Sequence, residues 1–154
     1  MSQFLQPTIL LLTEGTEVSQ GKSQIISNIN ACSSIVELVR TTLGPRGMDK
    51  LIKTQRDTTI TNDGATILNL LEIVHPAARL LVDIAKAQDN EVGDGTTTVA
   101  LLTGEILKEA KGFIEDSMNP QSIIKGLREA LTHALTKLEE IAVPVSDKDP
   151  KFAS

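Results

Sequence analysis

Rows of apolar residues at steps of three and four run through most of this sequence and constrain its fold more than any other feature. The first row lies just ahead of Gly44-Pro45 and consists of Ile25, Ile29, Cys32, Val36, Val39 and Leu43. Such spacing places side chains along one side of an α-helix. It predicts helices over residues 22–43, 65–73, 77–90 and 95–117, and a last helix that ends near residue 142. We therefore predict a mainly α protein.

Short β-prone runs interrupt the helical pattern. Residues 49–53 and 58–61 are joined by polar residues and predict a small β-hairpin, which Asn62-Asp63-Gly64 closes. Near the N-terminus, the apolar run of residues 8–12 predicts either a strand or an arm that packs on a neighbouring molecule. The expected β content is therefore small.

The composition excludes several classes of protein. A net charge of −5 without a long Lys/Arg stripe argues against binding to nucleic acid. No apolar run approaches the roughly 18 residues of a membrane span, and the N-terminus lacks the features of a secretory signal. Aromatic residues make up only 2% of the chain, so we expect an aliphatic core. The single cysteine, Cys32, lies in the first apolar row, which indicates a core position and a reducing, cytoplasmic location.

Residues 93–98, Gly-Asp-Gly-Thr-Thr-Thr, form the strongest candidate for a binding site. The two glycines allow backbone N–H groups to approach a ligand, and the unpaired N–H groups of a helix start favour an anion such as phosphate. A carboxylate beside a phosphate is repelled unless a divalent cation lies between them, so Asp94 indicates Mg²⁺. Simple helix capping by Asp and Thr explains the same residues about equally well.

Another glycine turn, Thr41-Thr42-Leu43-Gly44-Pro45-Arg46-Gly47, lies earlier in the sequence, after the first predicted helix; it is called the first glycine turn below, and residues 93–98 the second. By itself it is typical of an ordinary helix end with a proline stop. Asp63 adds a further carboxylate next to a glycine, although an Asp-Gly turn explains it equally well. If both turns and both carboxylates converge, one carboxylate can hold a metal and the other can orient water.

Other sequence features are weaker candidates for a binding or catalytic site. Five residues separate Gly15 from Gly21-Lys22-Ser23, whereas a phosphate-binding Walker A loop needs four at this point. His75 and His133 have no metal-ligand spacing, so we expect surface or capping roles for them. Charged runs such as residues 89–91 are expected on solvated helix faces.

Four motifs, by their order and spacing, resemble the group II chaperonins, the family of the eukaryotic cytosolic chaperonin TRiC/CCT. They are residues 42–50 (Thr-Leu-Gly-Pro-Arg-Gly-Met-Asp-Lys), 62–66 (Asn-Asp-Gly-Ala-Thr), 75–78 (His-Pro-Ala-Ala) and 93–97 (Gly-Asp-Gly-Thr-Thr). The resemblance covers residues 8–143. It implies that residues 1–143 are the N-terminal part of a helical, ATP-binding equatorial domain, a chaperonin fragment. Residues 144–154 would then be a linker toward an intermediate domain that this sequence does not contain.

The resemblance also implies a site. Its nucleotide contacts correspond to Leu43, Gly44 and Pro45 at the first glycine turn and to Gly95, Thr96, Thr97 and Thr98 at the second. Asp94 corresponds to a Mg²⁺ ligand, and Asp63 to a catalytic carboxylate near the terminal phosphate. The implied cofactors are ATP and Mg²⁺.

The implied function is that of an ATP-binding subunit of a double-ring chaperone that assists the folding of cytosolic proteins such as actin and tubulin. Its implied partners are other ring subunits and unfolded client proteins, without nucleic acid or membrane. The water-activating aspartate of the family belongs to its intermediate segment, so we expect negligible ATP hydrolysis by these residues alone. The alternative is a non-cycling helical module that docks on chaperonin ring subunits.

Overall fold

The computed structural model describes residues 20–54 and 57–143. Within these ranges the chain forms α1 (Lys22–Arg40), β1 (Lys50–Lys53), β2 (Thr58–Thr61), α2 (Gly64–Leu70), α3 (Pro76–Val92), α4 (Thr96–Glu115) and α5 (Pro120–Ile141). The predicted mainly α class and the small antiparallel hairpin are confirmed. The predicted strand at residues 8–12 and the predicted linker at 144–154 lie outside the described residues.

The chain divides into two compact units between Lys108 and Glu109. The described part of the first unit holds α1, the hairpin, α2, α3 and most of α4. The second holds the last turns of α4 and all of α5. Every predicted site residue lies in the first unit.

The core of the first unit is aliphatic, as the scarcity of aromatic residues predicts. Its buried members come from four helices and are Cys32, Ile35, Val36, Val39, Ile67, Leu68, Ala78, Leu81, Val82, Ala85 and Ala100. Cys32 is buried and its thiol donates to the carbonyl oxygen of Ala77 (3.5 Å), so its expected core position is confirmed. Burial raises the pKa of the Cys32 thiol, which makes this sulfur a weak nucleophile and suits a packing role.

Helices α1 and α4 approach each other closely at Gly104. A β-carbon built on Gly104 would lie 2.4 Å from Cγ2 of Val36, a side chain that is 1% exposed. Only glycine allows this approach. Beside it, Arg40 at the end of α1 pairs with Glu37 (2.9 Å) and with Glu105 of α4. Of these two pairs, only the Glu105 pair joins the two helices, and because its carboxylate is solvent-accessible, the glycine contact contributes more to the crossing than this ion pair does.

Helix α1 ends at Arg40, before the predicted end at residue 43. The N–H and the hydroxyl of Thr42 both donate to the carbonyl oxygen of Val39 (3.1 and 2.8 Å), which closes a tight turn. Gly44 follows with a φ of 89°, and Pro45 has no N–H with which to continue the helix. Leu43 fits the apolar row by spacing, but it lies in this turn and is half-exposed.

His75 separates α2 from α3. It precedes Pro76 and has an extended backbone, as residues before proline prefer. Its Nδ1 accepts a hydrogen bond from the N–H of Ala77 (3.2 Å), so the predicted capping role is confirmed. Because Pro76 occupies the first helical position, α3 starts one residue earlier than the apolar spacing predicts.

In the second unit, α4 ends at Glu115 and is followed by a left-handed residue, Ser117 (φ 65°). The N–H groups of Ser117 and Met118 donate back to carbonyl oxygens in the last turns of α4 (3.0 and 2.9 Å). Asn119 then caps α5 by accepting the N–H of Gln121 (2.9 Å). No described residue of α5 is buried, and its apolar row is exposed: Ile124, Leu127, Leu131, Leu135, Leu138 and Ile141.

Candidate functional site

The turn between α3 and α4 is shaped by two glycines. Gly93 ends α3 in the left-handed conformation (φ 74°), and its N–H donates to the carbonyl oxygen of Asp89 (2.8 Å). Gly95 also has a positive φ, 78°. A left-handed conformation costs other residues about 1–2 kcal/mol each, so this turn requires glycine at both positions.

Helix α4 begins without a capping side chain from its own N-cap residue. The carbonyl oxygen of Gly95 accepts the first helical hydrogen bond, from the N–H of Val99 (2.9 Å), so the N-cap position is a glycine. The N-cap residues of α2, α3 and α5, by contrast, each accept an N–H with their side chains: Asp63, His75 and Asn119. The first N–H groups of a helix lack partners within the helix and attract anions. The start of α4 is therefore suited to an anionic ligand.

Asp94 is exposed in this turn and is held at its backbone. Its carboxylate Oδ1 accepts the N–H of Gly95 (2.6 Å), and its carbonyl oxygen accepts from Nε2 of Gln88 on α3 (3.1 Å). A carboxylate next to uncapped helix N–H groups is well placed to balance a cation that accompanies an anion.

Asp63 is the N-cap residue of α2, so its carboxylate contributes to the fold. One carboxylate oxygen, Oδ2, accepts both the hydroxyl (2.6 Å) and the N–H (2.8 Å) of Thr66. The hydroxyl bond, and then the N–H bond, hold the pKa of Asp63 below its usual range, because both favour the charged form. Asp63 therefore has a structural role as the N-cap of α2.

The starts of α2 and α4 meet. Gly64 is buried against Thr97, so that a β-carbon on Gly64 would lie 2.0 Å from Thr97 Oγ1. Around this contact is a cleft of about 140 Å³, lined by Leu43, Asp63, Asp89, Gly93, Asp94, Gly95, Thr96, Thr97 and Thr98. The structure therefore brings both predicted carboxylates and most of the predicted nucleotide contacts to one place.

The first glycine turn contributes Leu43 to the cleft, whereas Gly44 and Pro45 are not among the lining residues. The turn is tightly closed. The N–H of Gly47 donates to the carbonyl oxygen of Gly44 (2.9 Å), and a β-carbon on Gly47 would lie 2.2 Å from the carbonyl oxygen of Thr42. These contacts fix the shape of the turn itself.

Sequence reasoning missed Asp89. We expected it on a solvated helix face, and that expectation is wrong: Asp89 is half-buried, lines the cleft and accepts the Thr96 hydroxyl at Oδ1 (3.2 Å). A signal was available, because Asp89 lies one helical turn before Gly93. The chain reverses at a glycine C-cap, and a side chain at that position can meet the segment that follows.

A divalent cation would have to share this cleft with its ligand. Among residues 20–54 and 57–143, no three His, Cys, Asp or Glu side chains are placed to hold a metal ion together. Mg²⁺ does not need such a cage, since proteins usually hold it with one or two carboxylates plus substrate phosphates and waters. The donor set around Asp94 suits that mode of binding.

A larger cavity of about 410 Å³ lies beside α2 and α3 and contains none of the predicted site residues. It is lined by Leu68, Leu71, Glu72, Ile73, Val74, Arg79, Val82, Asp83 and Lys86. Arg79 already donates to the carbonyl oxygen of Ile73 (2.9 Å). With charges of both signs on its walls, this cavity offers no convergent set of polar groups for one ligand.

Three of the four chaperonin-like motifs, residues 42–50, 62–66 and 93–97, supply residues to this one cleft, as expected of a chaperonin type of domain. The chain belongs to the TCP-1/cpn60 chaperonin family, whose sequence profile matches residues 35–152. None of the described helices combines the length and apolar character that a membrane span requires.

The individual relatives narrow the similarity to one kind of chaperonin subunit. The chain is 70% identical over 145 residues to T-complex protein 1 subunit eta of Tetrahymena pyriformis, which covers 94% of this chain and 26% of the relative. The eta subunit of Arabidopsis thaliana is 60% identical over 149 residues, which cover 96% of this chain and 27% of the relative. That of Homo sapiens is 58% identical over 147 residues, which cover 94% of this chain and 27% of the relative. Within the chaperonin family, residues 9–12, 14–16, 19–21 and 27–32 of the sequence also resemble eta subunits, and these relatives confirm that resemblance. The chain spans about a quarter of the length of these relatives.

Proposed function

We propose that this chain forms the ATP-binding part of a chaperonin ring subunit. The observation that supports the proposal best is the cleft in which the uncapped start of α4, Asp94 and Asp63 meet. This arrangement offers N–H donors for phosphate oxygens and a carboxylate for the accompanying cation. Family membership supports the same interpretation.

The size of the cleft indicates which part of ATP it would hold. Sites that enclose a whole small molecule measure roughly 300–1,000 Å³, whereas this cleft measures about 140 Å³. It therefore suits the phosphate end, with the base and sugar outside it. The predicted contacts at Leu43, Gly44 and Pro45 would lie toward the nucleoside end, since only Leu43 reaches the cleft.

Each predicted residue then has a role. Gly95 and the threonines of the first turn of α4 would contact the nucleotide at its phosphate end, and Asp94 would hold Mg²⁺. When bound, Mg²⁺ would neutralise phosphate charge and polarise the terminal phosphoryl group. Asp63 would act near the terminal phosphate as the catalytic carboxylate that orients water, while its Oδ2 keeps the cap on α2.

The wider role follows from the same proposal. Within its complete ring, the subunit would pair with other chaperonin subunits in a hetero-oligomeric double ring in the cytoplasm. It would assist the folding of client proteins, with actin and tubulin as the expected examples. The similarity to eta subunits of T-complex protein 1 supports this assignment.

Magnesium-dependent nucleotide binding tests the proposal. We expect the purified protein to bind a non-hydrolysable ATP analogue in isothermal titration calorimetry, and Mg²⁺ to tighten that binding. Asp94→Ala should remove about tenfold or more of the affinity in Mg²⁺, as loss of a charged metal ligand predicts. Glu91→Ala is the matched control, because Glu91 is an exposed carboxylate outside the cleft lining. Equal affinities for wild type and Asp94→Ala would refute the proposal.

A second candidate function rests on α5. Its exposed apolar row, which includes Leu131 and Leu138, supports a helical module that docks on ring subunits without cycling nucleotide. Co-sedimentation with purified chaperonin rings separates the two functions. Loss of association in Leu131→Glu but not in Asp94→Ala would favour docking alone, and loss in Asp94→Ala would favour the nucleotide-dependent role.

A further inference from the structure

The last turn of α3 controls the geometry of the glycine turn that follows it. Gln88 donates to the carbonyl oxygen of Asp94 (3.1 Å), and the carbonyl oxygen of Asp89 accepts the N–H of Gly93 (2.8 Å). The Asp89 side chain reaches further, to the hydroxyl of Thr96, seven residues away (3.2 Å). Asp89 therefore contacts both ends of the turn.

The Asp89–Thr96 bond has a defined direction. An ionised carboxylate can only accept hydrogen bonds, whereas a threonine hydroxyl has one proton to give. In this contact the Thr96 hydroxyl is the donor and Asp89 Oδ1 is the acceptor. Thr96 is 6% exposed, so water cannot easily substitute for this partner.

We infer that Asp89 is a positioning residue that engages the Thr96 hydroxyl proton in a hydrogen bond. Thr96 Oγ1 then presents a lone pair to the cation that accompanies the bound nucleotide, and it donates no hydrogen bond to phosphate. The inference rests on the proposed function. With its proton engaged, Thr96 Oγ1 has only lone pairs left to offer. Oxygen lone pairs are what Mg²⁺ prefers, and a phosphate oxygen has no hydrogen to give them. Within the Thr96–Thr98 run, this assigns Thr96 to the metal and leaves phosphate contacts to the others.

The first test measures binding of the non-hydrolysable ATP analogue twice, once with EDTA and once with Mg²⁺. If Thr96 serves the cation, Thr96→Val should weaken binding about tenfold in Mg²⁺ and leave affinity in EDTA within about twofold, as loss of one charge-assisted contact predicts. Asp89→Ala should likewise weaken binding in Mg²⁺ but not in EDTA. Thr96→Ser, which keeps the hydroxyl, should bind like wild type under both conditions. Thr98→Val is the matched comparison: it lines the same cleft and should weaken binding under both conditions. Equal losses of Thr96→Val in EDTA and in Mg²⁺ would overturn the inference.

The second test needs no ligand. The melting temperature of Asp89→Ala, Thr96→Val and the double variant forms a double-mutant cycle. We expect the double variant to melt no lower than the less stable single variant, because both changes remove the same bond. Glu91→Ala combined with Thr96→Val is the control pair, and its two shifts should add.

The two tests separate two failures. If wild type binds no nucleotide with Mg²⁺, the proposed function and the role of Thr96 toward the cation are both wrong. The double-mutant cycle of melting temperatures still decides whether Asp89 holds the Thr96 hydroxyl. If wild type binds and the melting shifts of Asp89→Ala and Thr96→Val simply add, the proposed function stands and the inference is wrong.

Discussion

Gly64 at the start of α2 lies against the side chain of Thr97 at the start of α4. A β-carbon on Gly64 would be 2.0 Å from Thr97 Oγ1, closer than packed side chains come, and 3.1 Å from Thr97 Cβ, tighter than an ordinary contact. The contact joins Asp63, the residue before Gly64, to the helix start that follows Asp94. The geometry of the candidate site thus depends on the absence of a single side chain.

Gly64→Ala should consequently separate the two helix starts. We expect a loss of about 1–3 kcal/mol in the free energy of unfolding, since the added methyl group overpacks a buried contact. Magnesium-dependent binding of the ATP analogue should weaken as well, because the two carboxylates move apart. Urea unfolding and calorimetry measure the two effects. Gly126→Ala is the control, since a β-carbon there meets no atom within 4 Å. A Gly64→Ala variant with wild-type stability would contradict the contact.

Two glycines of α4 should respond to alanine in opposite directions. A β-carbon at Gly104 would strike Val36 at 2.4 Å, whereas at Gly112 nothing lies within 4 Å. Alanine is the better helix former by about 1 kcal/mol, so Gly112→Ala should stabilise the protein by roughly that amount. Gly104→Ala should destabilise it by about 1–3 kcal/mol despite the same propensity gain, because the α1–α4 crossing must open. Chemical denaturation of both variants checks this, and equal shifts of the same sign would refute the close crossing.

Adjacent threonines after α1 provide a matched pair of valine substitutions. The Thr42 hydroxyl donates to the Val39 carbonyl oxygen (2.8 Å), whereas the Thr41 hydroxyl is buried without a hydrogen-bond partner among the described residues. Valine has nearly the same shape as threonine. Thr42→Val should therefore cost about 0.5–1.5 kcal/mol, and Thr41→Val should be neutral or stabilising, because it removes an unsatisfied polar group. Thermal and urea unfolding distinguish the two, and a destabilised Thr41→Val would indicate that its hydroxyl has a partner.

The sequence predicted the helices and the hairpin well, because apolar spacing is a local property of the chain. It placed the end of α1 too late, since Leu43 continues the apolar row although Thr42 and Gly44 already bend the backbone. Spacing alone cannot weigh a side-chain hydrogen bond against an apolar contact. The turn chemistry of Gly44-Pro45 indicated the stop only to within a few residues.

The candidate site was predictable as two separate turns and not as one cleft. Gly64 and Thr97 are distant in sequence, and no local pattern states that the two helix starts meet. Asp89 was missed for a related reason: a charged residue near a helix end is usually solvated, and Glu91 in the same run is indeed exposed. The difference between them is that the chain reverses at Gly93 and brings Thr96 back to Asp89.

Asp63 should make the stability of α2 depend on pH through its cap. Its pKa lies below the usual range because Thr66 donates to its carboxylate from both hydroxyl and N–H. For a depressed folded-state pKa, the charged form contributes stability above the pKa of the unfolded state, and this contribution is lost as pH falls through the folded-state pKa.

Asparagine caps helices about as well and does not titrate in this range. Asp63→Asn should therefore be slightly less stable than wild type at neutral pH, and the difference should shrink toward acid pH. Asp63→Ala should cost about 1 kcal/mol at neutral pH, as loss of an N-cap does. Urea unfolding of the three proteins across the acid range measures these differences. A gap between wild type and Asp63→Asn that widens as pH falls would show that the Thr66 bonds do not stabilise the charged carboxylate.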